Sequence, residues 1–75
     1  MNPITQPELK LISSTGGVNR VIADSVDGKF KIEIETAIVK YTLVTQKNEV
    51  RLFSKIDTAW NVMQEVGVNE MIVNI

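Results

Sequence analysis

Apolar and polar positions alternate most strictly over Lys29–Glu35, where Phe30, Ile32 and Ile34 sit between charged residues. A period of two marks a strand with one buried face. Just before it stands Asp27-Gly28, a strong signal for a tight hairpin turn. The preceding stretch reads in two ways. Val18, Val21, Ile22 and Val26 are spaced to suit a helix face. A two-residue turn at Asp27-Gly28 would instead set Val26 opposite Lys29, Asp24 opposite Lys31, Ala23 opposite Ile32, Val21 opposite Ile34 and Arg20 opposite Glu35. One face then collects Val21, Ala23, Phe30, Ile32 and Ile34, and the other pairs opposite charges. Such pairs contribute roughly 0.2–1 kcal/mol each. The pairing favours the hairpin, with strands near 18–26 and 29–35, and leaves Ile22 and Val26 on the wet face.

A second hairpin is expected from Tyr41-Thr42-Leu43-Val44-Thr45, a turn at Lys47-Asn48, and Glu49-Val50-Arg51-Leu52-Phe53. Its strands cover 41–46 and 49–53, with Leu43 facing Leu52 and Thr45 facing Val50. Thr36 to Val39 either turns or continues as a bulged strand. A helix over 55–66 follows. Ser54 suits its N-cap and Asp57 its first turn. Ile56, Ala59, Trp60, Met63 and Val66 recur as one apolar stripe. Gly67 offers a left-handed stop, and Val68 can fold back on Met63. Met71, Val73 and Ile75 alternate in a closing strand over 70–75.

At the other end, Pro3 and Pro7 make residues 1–7 read as a flexible arm, since proline disfavours helix and sheet interiors. Glu8 to Ser13 alternates loosely and is expected as a short strand over 8–13, before the turn cluster Ser13-Ser14-Thr15-Gly16-Gly17. The fold class is therefore α+β: a small antiparallel β-sheet of two hairpins, one helix on one face, and a C-terminal strand. Residues 8–75 form one domain.

Composition narrows what such a domain can do. The chain of 75 residues has no cysteine and no histidine, so disulfides and the common zinc sites are excluded. A core of this size rarely supplies more than about 3–5 kcal/mol unaided, which leaves self-association as the remaining source of extra stability. A net charge of −1 argues against general nucleic-acid binding. No apolar run reaches the length of a membrane span, and the start of the chain lacks the order of a signal peptide. Cytoplasmic residence is the default.

Candidate chemistry is sparse. Without His or Cys, a nucleophile would have to be Ser, Thr, Tyr, Lys or a carboxylate. Ser13-Ser14-Thr15 beside Gly16-Gly17 could cradle a phosphate, but lacks the Lys-Ser/Thr of a P-loop, and a plain turn explains it. Glu33 and Glu35 project to one side of a strand, as solvated positions beside Lys31 and Arg20 do. Asp24 and Asp27 fall short of a calcium loop. Trp60 and Met63 lie on the helix stripe as core anchors. A chain this small also leaves little volume for a pocket. The expectation is a protein that is not an enzyme and needs no cofactor or metal.

Charge is unevenly spread. Lys40, Lys47, Arg51 and Lys55 against Glu49 give residues 38–55 a local balance of +3. Asp57, Glu65 and Glu70 give residues 56–75 a balance of −3. The four basic residues are the candidate partner-binding positions. Two classes follow. One is a protein-interaction module, an adaptor, regulator or inhibitor, binding another protein or a second copy through a sheet edge or uncovered sheet face. The other is a nucleic-acid accessory protein using the basic hairpin, with only Tyr41 and Phe53 nearby for stacking.

The stretch Tyr41 to Phe53, then Asp57-Thr58-Ala59-Trp60 and Gly67-Val68, resembles small accessory proteins of plasmids and other mobile elements, some of them partition-associated. The shared pattern is a strand, a Thr-Gln-polar turn, Arg-x-Phe, an Asp-x-Ala helix start, and a glycine before a short strand. It covers less than half of the chain. The resemblance implies a partner-binding role on a mobile element, in maintenance, regulation or counter-defence, and carries over no functional residue.

Overall fold

The computed structural model describes residues 2–75. It is a small α+β fold in which two helices pack on a mixed sheet. In chain order the elements are β1 (Pro3–Ile4), α1 (Gln6–Ser14), β2 (Arg20–Val26), β3 (Lys29–Glu35), β4 (Lys40–Leu43), β5 (Leu52–Phe53), α2 (Ile56–Glu65) and β6 (Ile72–Asn74). The strands lie in the order β1-β4-β3-β2-β6, with β5 also on β3.

The hairpin β2–β3 has the expected register throughout, from Arg20 opposite Glu35 to Val26 opposite Lys29. Asp27 and Gly28 both take positive φ, 52° and 80°, the pair of left-handed residues that a twisted two-residue turn requires. Residues 18 and 19 precede the strand. Thr36 to Val39 is a turn: the Thr36 N–H donates to the Val39 carbonyl at 2.9 Å, and the Val39 N–H donates to Thr36 Oγ1 at 3.1 Å. It joins β3 to β4 in antiparallel register.

The segment expected as a strand over 8–13 is helix α1, so the chain has two helices rather than one. Glu8 Oε1 accepts from both the Thr5 N–H and the Thr5 hydroxyl, each at 2.9 Å. This is the reach-back half of a capping box. Pro7 stands in the first turn, where a missing N–H costs no helical bond. The helix buries Leu9 and exposes Leu11. Nor are residues 2–7 an arm: β1 pairs in parallel with β4, and Ile4 is buried. Met1 lies outside the described residues.

Bonds from the Thr5 N–H, then from its hydroxyl, hold the Glu8 carboxyl below the ordinary carboxylate value. The folded protein therefore keeps this charge more readily than the unfolded chain. Its stabilising contribution is present above the unfolded pKa of about 4.3 and is lost as pH falls through the lowered folded value. Wild type should be more stable than Glu8→Gln near neutrality, and the gap should close in acid. Paired thermal melts across that range would check it.

The second expected hairpin does not form as drawn. Its tip closes in a shifted register, Val44 opposite Val50, with the Thr45 N–H donating to the Glu49 carbonyl at 2.7 Å and the Arg51 N–H to the Leu43 carbonyl at 3.0 Å. The strands expected over 41–46 and 49–53 shrink to β4 and β5. β5 pairs instead with β3, Phe53 opposite Phe30 and Leu52 opposite Lys31. The physical reason is burial. The larger Phe53 turns inward and Leu52 outward, whereas Leu43 facing Leu52 would place Phe53 on the wrong side.

The helix expected over 55–66 is α2, which starts one residue later than expected. Lys55 rather than Ser54 occupies the N-cap, and no side chain caps the end. With Phe53 committed to the sheet, Ser54 and Lys55 are spent on the bend that leads out of it. The far end forms as expected: Val68 N–H donates to the Met63 carbonyl at 2.9 Å and Gly67 N–H to Gln64 at 3.1 Å, a Schellman ending. The closing strand is shorter than 70–75 and runs parallel to β2. The sheet is therefore mixed, an antiparallel centre flanked by one parallel strand on each side.

Leu9, Ala59, Met63 and Val66 from the helical segments meet Val21, Ala23, Ile32, Ile34, Leu43 and Phe53 from the sheet in one core. The opposite sheet face has no helix over it. Its central row runs Pro3, Thr42, Glu33, Ile22, Ile72. Ile22, expected on the wet face, is only 8% exposed. Ile72 lies beside it on one side and Glu33 on the other. Val26 is exposed, as expected.

Candidate interaction surface

The two edges of the sheet differ in length and chemistry. β1 is two residues long and begins with Pro3, which has no N–H to offer an added strand. β6 pairs with β2 along one side, and no strand pairs its other side among the described residues. All three of its residues are exposed. It carries none of the lysine or proline that usually blunts a sheet edge.

Helix α2 forms a wall beside this edge. Ala59, Met63 and the following Val66 are buried, while Ile56 and Trp60, on the margin of the stripe, are half-buried. Between them and β6 runs a groove of about 520 Å³, lined by Ile56, Trp60, Met71 and Val73, with Asp57, Asn69 and Glu70. Apolar side chains make its walls, and its two charged residues are both acidic. On the opposite sheet face, Asn74 Nδ2 donates to Asp24 Oδ1 at 3.0 Å and ties β6 to β2. That bond holds the Asp24 carboxyl below its ordinary value, with Lys31 and Lys40 assisting.

The four basic residues expected to bind a partner occupy four different settings. Lys40 Nζ lies 3.9 Å from both Glu33 and Glu35 on the open face, where Arg20 also meets Glu35 at 2.7 Å. Lys47 is exposed in the turn after Thr45. Arg51 donates to Gln6 Oε1 at 2.8 Å, and its guanidinium sits 4.9 Å from the centre of the Phe53 ring. Lys55 is exposed at the start of α2.

Of these, Arg51 lines a second cleft, also about 520 Å³, between the start of α1 and Val44-Thr45-Gln46. A third, about 440 Å³, lies among Ser13, Arg20, Gly67 and Glu70. The expectation of little pocket volume in so short a chain therefore does not hold, although all three are open clefts. A sheet edge is a binding mode the sequence suggests, but the helix stripe marks Trp60 as a core anchor and the alternation marks Met71 and Val73 only as parts of a closing strand. The alternation of Met71, Val73 and Ile75 without a blunting charge was the available signal. No family model matches the chain, and no curated protein matches it. Among the described residues, no helix is long and apolar enough to cross a membrane.

Proposed function

We propose that this protein is a non-catalytic interaction module, a small cytoplasmic adaptor, regulator or inhibitor, that takes an extended segment of another protein onto the free edge of β6. The observation that carries the reading is the contrast between the two sheet edges. β1 is short and blocked by Pro3, while β6 has a free edge, is exposed at all three residues and is bordered by an apolar groove. Main-chain bonds along such an edge supply affinity, and the adjoining groove supplies selectivity. The resemblance of residues 41–68 to plasmid accessory proteins suits a partner-binding role on a mobile element. The nucleic-acid alternative has less support, because Lys40 and Arg51 already have partners within the chain.

Short peptides selected for binding to the intact protein would test this. Val73 is 43% exposed and lies outside the core cluster, so Val73→Lys is expected to leave core packing intact. The selected peptides should protect the backbone amides of residues 72–74 from exchange and lose about tenfold in affinity on Val73→Lys. The double reversal Lys47→Glu with Arg51→Glu should leave them unaffected. Peptides that ignore Val73→Lys and follow the double reversal would move the function to the basic hairpin. Binding of DNA or RNA at low salt, lost in the same reversal, would establish the nucleic-acid alternative.

A further inference from the structure

We propose that the segment taken up on β6 is a basic strand, one in which apolar residues alternate with Lys or Arg. This rests on the β6 reading and adds the chemistry of the occupant. Successive residues of an added strand point to opposite sides of the sheet. Those on the helix side enter the groove of Ile56, Trp60, Met71 and Val73, which suits apolar side chains. The charged groups at that groove are Asp57 and Glu70, and the whole stretch 56–75 contains three acids and no Lys or Arg.

Residues of the added strand on the other side lie beside Ile72 and Asn74, with the Asp24 carboxylate hydrogen-bonded to Asn74 behind them. Glu33 also faces Asp24, and Lys31 and Lys40 lie further into the sheet. The edge therefore offers carboxylates on both sides, and the one cation beside it, Arg20, which shares a cleft with Glu70 and Ile72, is paired with Glu35. Lys or Arg there reaches an acceptor, whereas an acidic strand meets like charge. Rim charges of this kind set partner choice and association rate more than bulk affinity.

A second copy of the chain is the less suitable occupant. β6 brings no Lys or Arg. A β6–β6 pairing would carry Asp57 and Glu70 of each copy toward the acidic groove of the other.

Trp60 is the one tryptophan of the chain and lines the groove, so its emission reports occupancy directly. The test is a titration of the intact protein with short strand-forming peptides of one apolar pattern, whose alternate positions are Lys, Gln or Glu. Amide exchange at residues 72–74 is followed in parallel. The Lys peptide should bind about tenfold or more tightly than the Gln peptide, and the Glu peptide least. The preference should shrink as salt shortens the screening length to about 8 Å and below. Asp57→Asn with Glu70→Gln should shrink it too, with the fold intact by circular dichroism.

Equal binding of the Lys and Gln peptides, with residues 72–74 protected, overturns the basic preference and leaves strand addition standing. Lys-peptide binding without that protection overturns the proposed site. No protection by any peptide overturns both readings. A dimer that protects these amides without peptide, and that Val73→Lys dissolves, makes the occupant a second copy and overturns the proposal.

Discussion

Leu9→Ala is expected to leave much of the protein unfolded, while Leu11→Ala leaves it nearly as stable as wild type. Leu9 is fully buried against the sheet, and Leu11, two residues on, is 69% exposed. Removing a buried leucine side chain costs about 2–5 kcal/mol, from lost transfer energy and the cavity left behind. A domain of this size holds only about 3–5 kcal/mol from its core, so one truncation there consumes most of it. An exposed position changes stability by about 0.5 kcal/mol at most. The pair also decides what the segment is. In a strand, residues 9 and 11 share a face and would respond alike. In α1 they lie on different sides. Urea unfolding followed by circular dichroism would show a broad or missing transition for Leu9→Ala and a wild-type midpoint for Leu11→Ala. Equal losses would contradict the helix.

That segment also shows why parts of the fold were readable from the residues and others were not. The β2–β3 register follows from Asp27-Gly28 alone, because a two-residue turn fixes every pair above it. The α2 stripe and its Gly67-Val68 ending are equally local. Leu9, Leu11 and Ile12, by contrast, contain both strand and helix spacings. The deciding signal was nearby: Thr5 and Glu8 have the spacing of a capping box, and Pro7 falls inside the first turn. Reading both prolines as helix-breaking discards it.

The failure at β5 has another cause. Whether residues 52–53 pair with β4 or with β3 depends on which side of the sheet Phe53 can be buried, a competition that no local pattern expresses. The same holds for the candidate surface. Trp60, Met71 and Val73 are visible in the sequence as apolar residues. Their standing at an open margin arises only when α2 and the parallel strand β6 come together. Ile22 shows the converse, since its shelter on the open face comes from Ile72, distant in the chain.

The ending of α2 allows strain and crowding to be measured separately, and Gly67→Val should cost about 1–3 kcal/mol. Gly67 has φ of +90°, where a β-branched side chain clashes with its own backbone. It must keep this conformation, because the bonds from Gly67 and Val68 back to Gln64 and Met63 close the helix. Through them Val68 is brought into the core. A Cβ at this position would also stand 3.1 Å from Ser13 Oγ, at the end of α1. Gly16 is the internal control. It too has positive φ, +76°, but a Cβ there meets nothing within 4 Å. Gly16→Ala should therefore report the left-handed penalty alone, about 1–2 kcal/mol. Gly67→Ala should cost that amount plus the crowding against Ser13, and Ser13→Ala in the Gly67→Ala background should recover the excess. Equilibrium unfolding of these variants would check the order: Gly67→Val most destabilised, then Gly67→Ala, then Gly16→Ala. If Gly67→Ala and Gly16→Ala cost the same, Ser13 gives way freely and the two helix ends do not constrain each other. If Ser13→Ala restores the difference, the end of α1 and the end of α2 are packed as one unit.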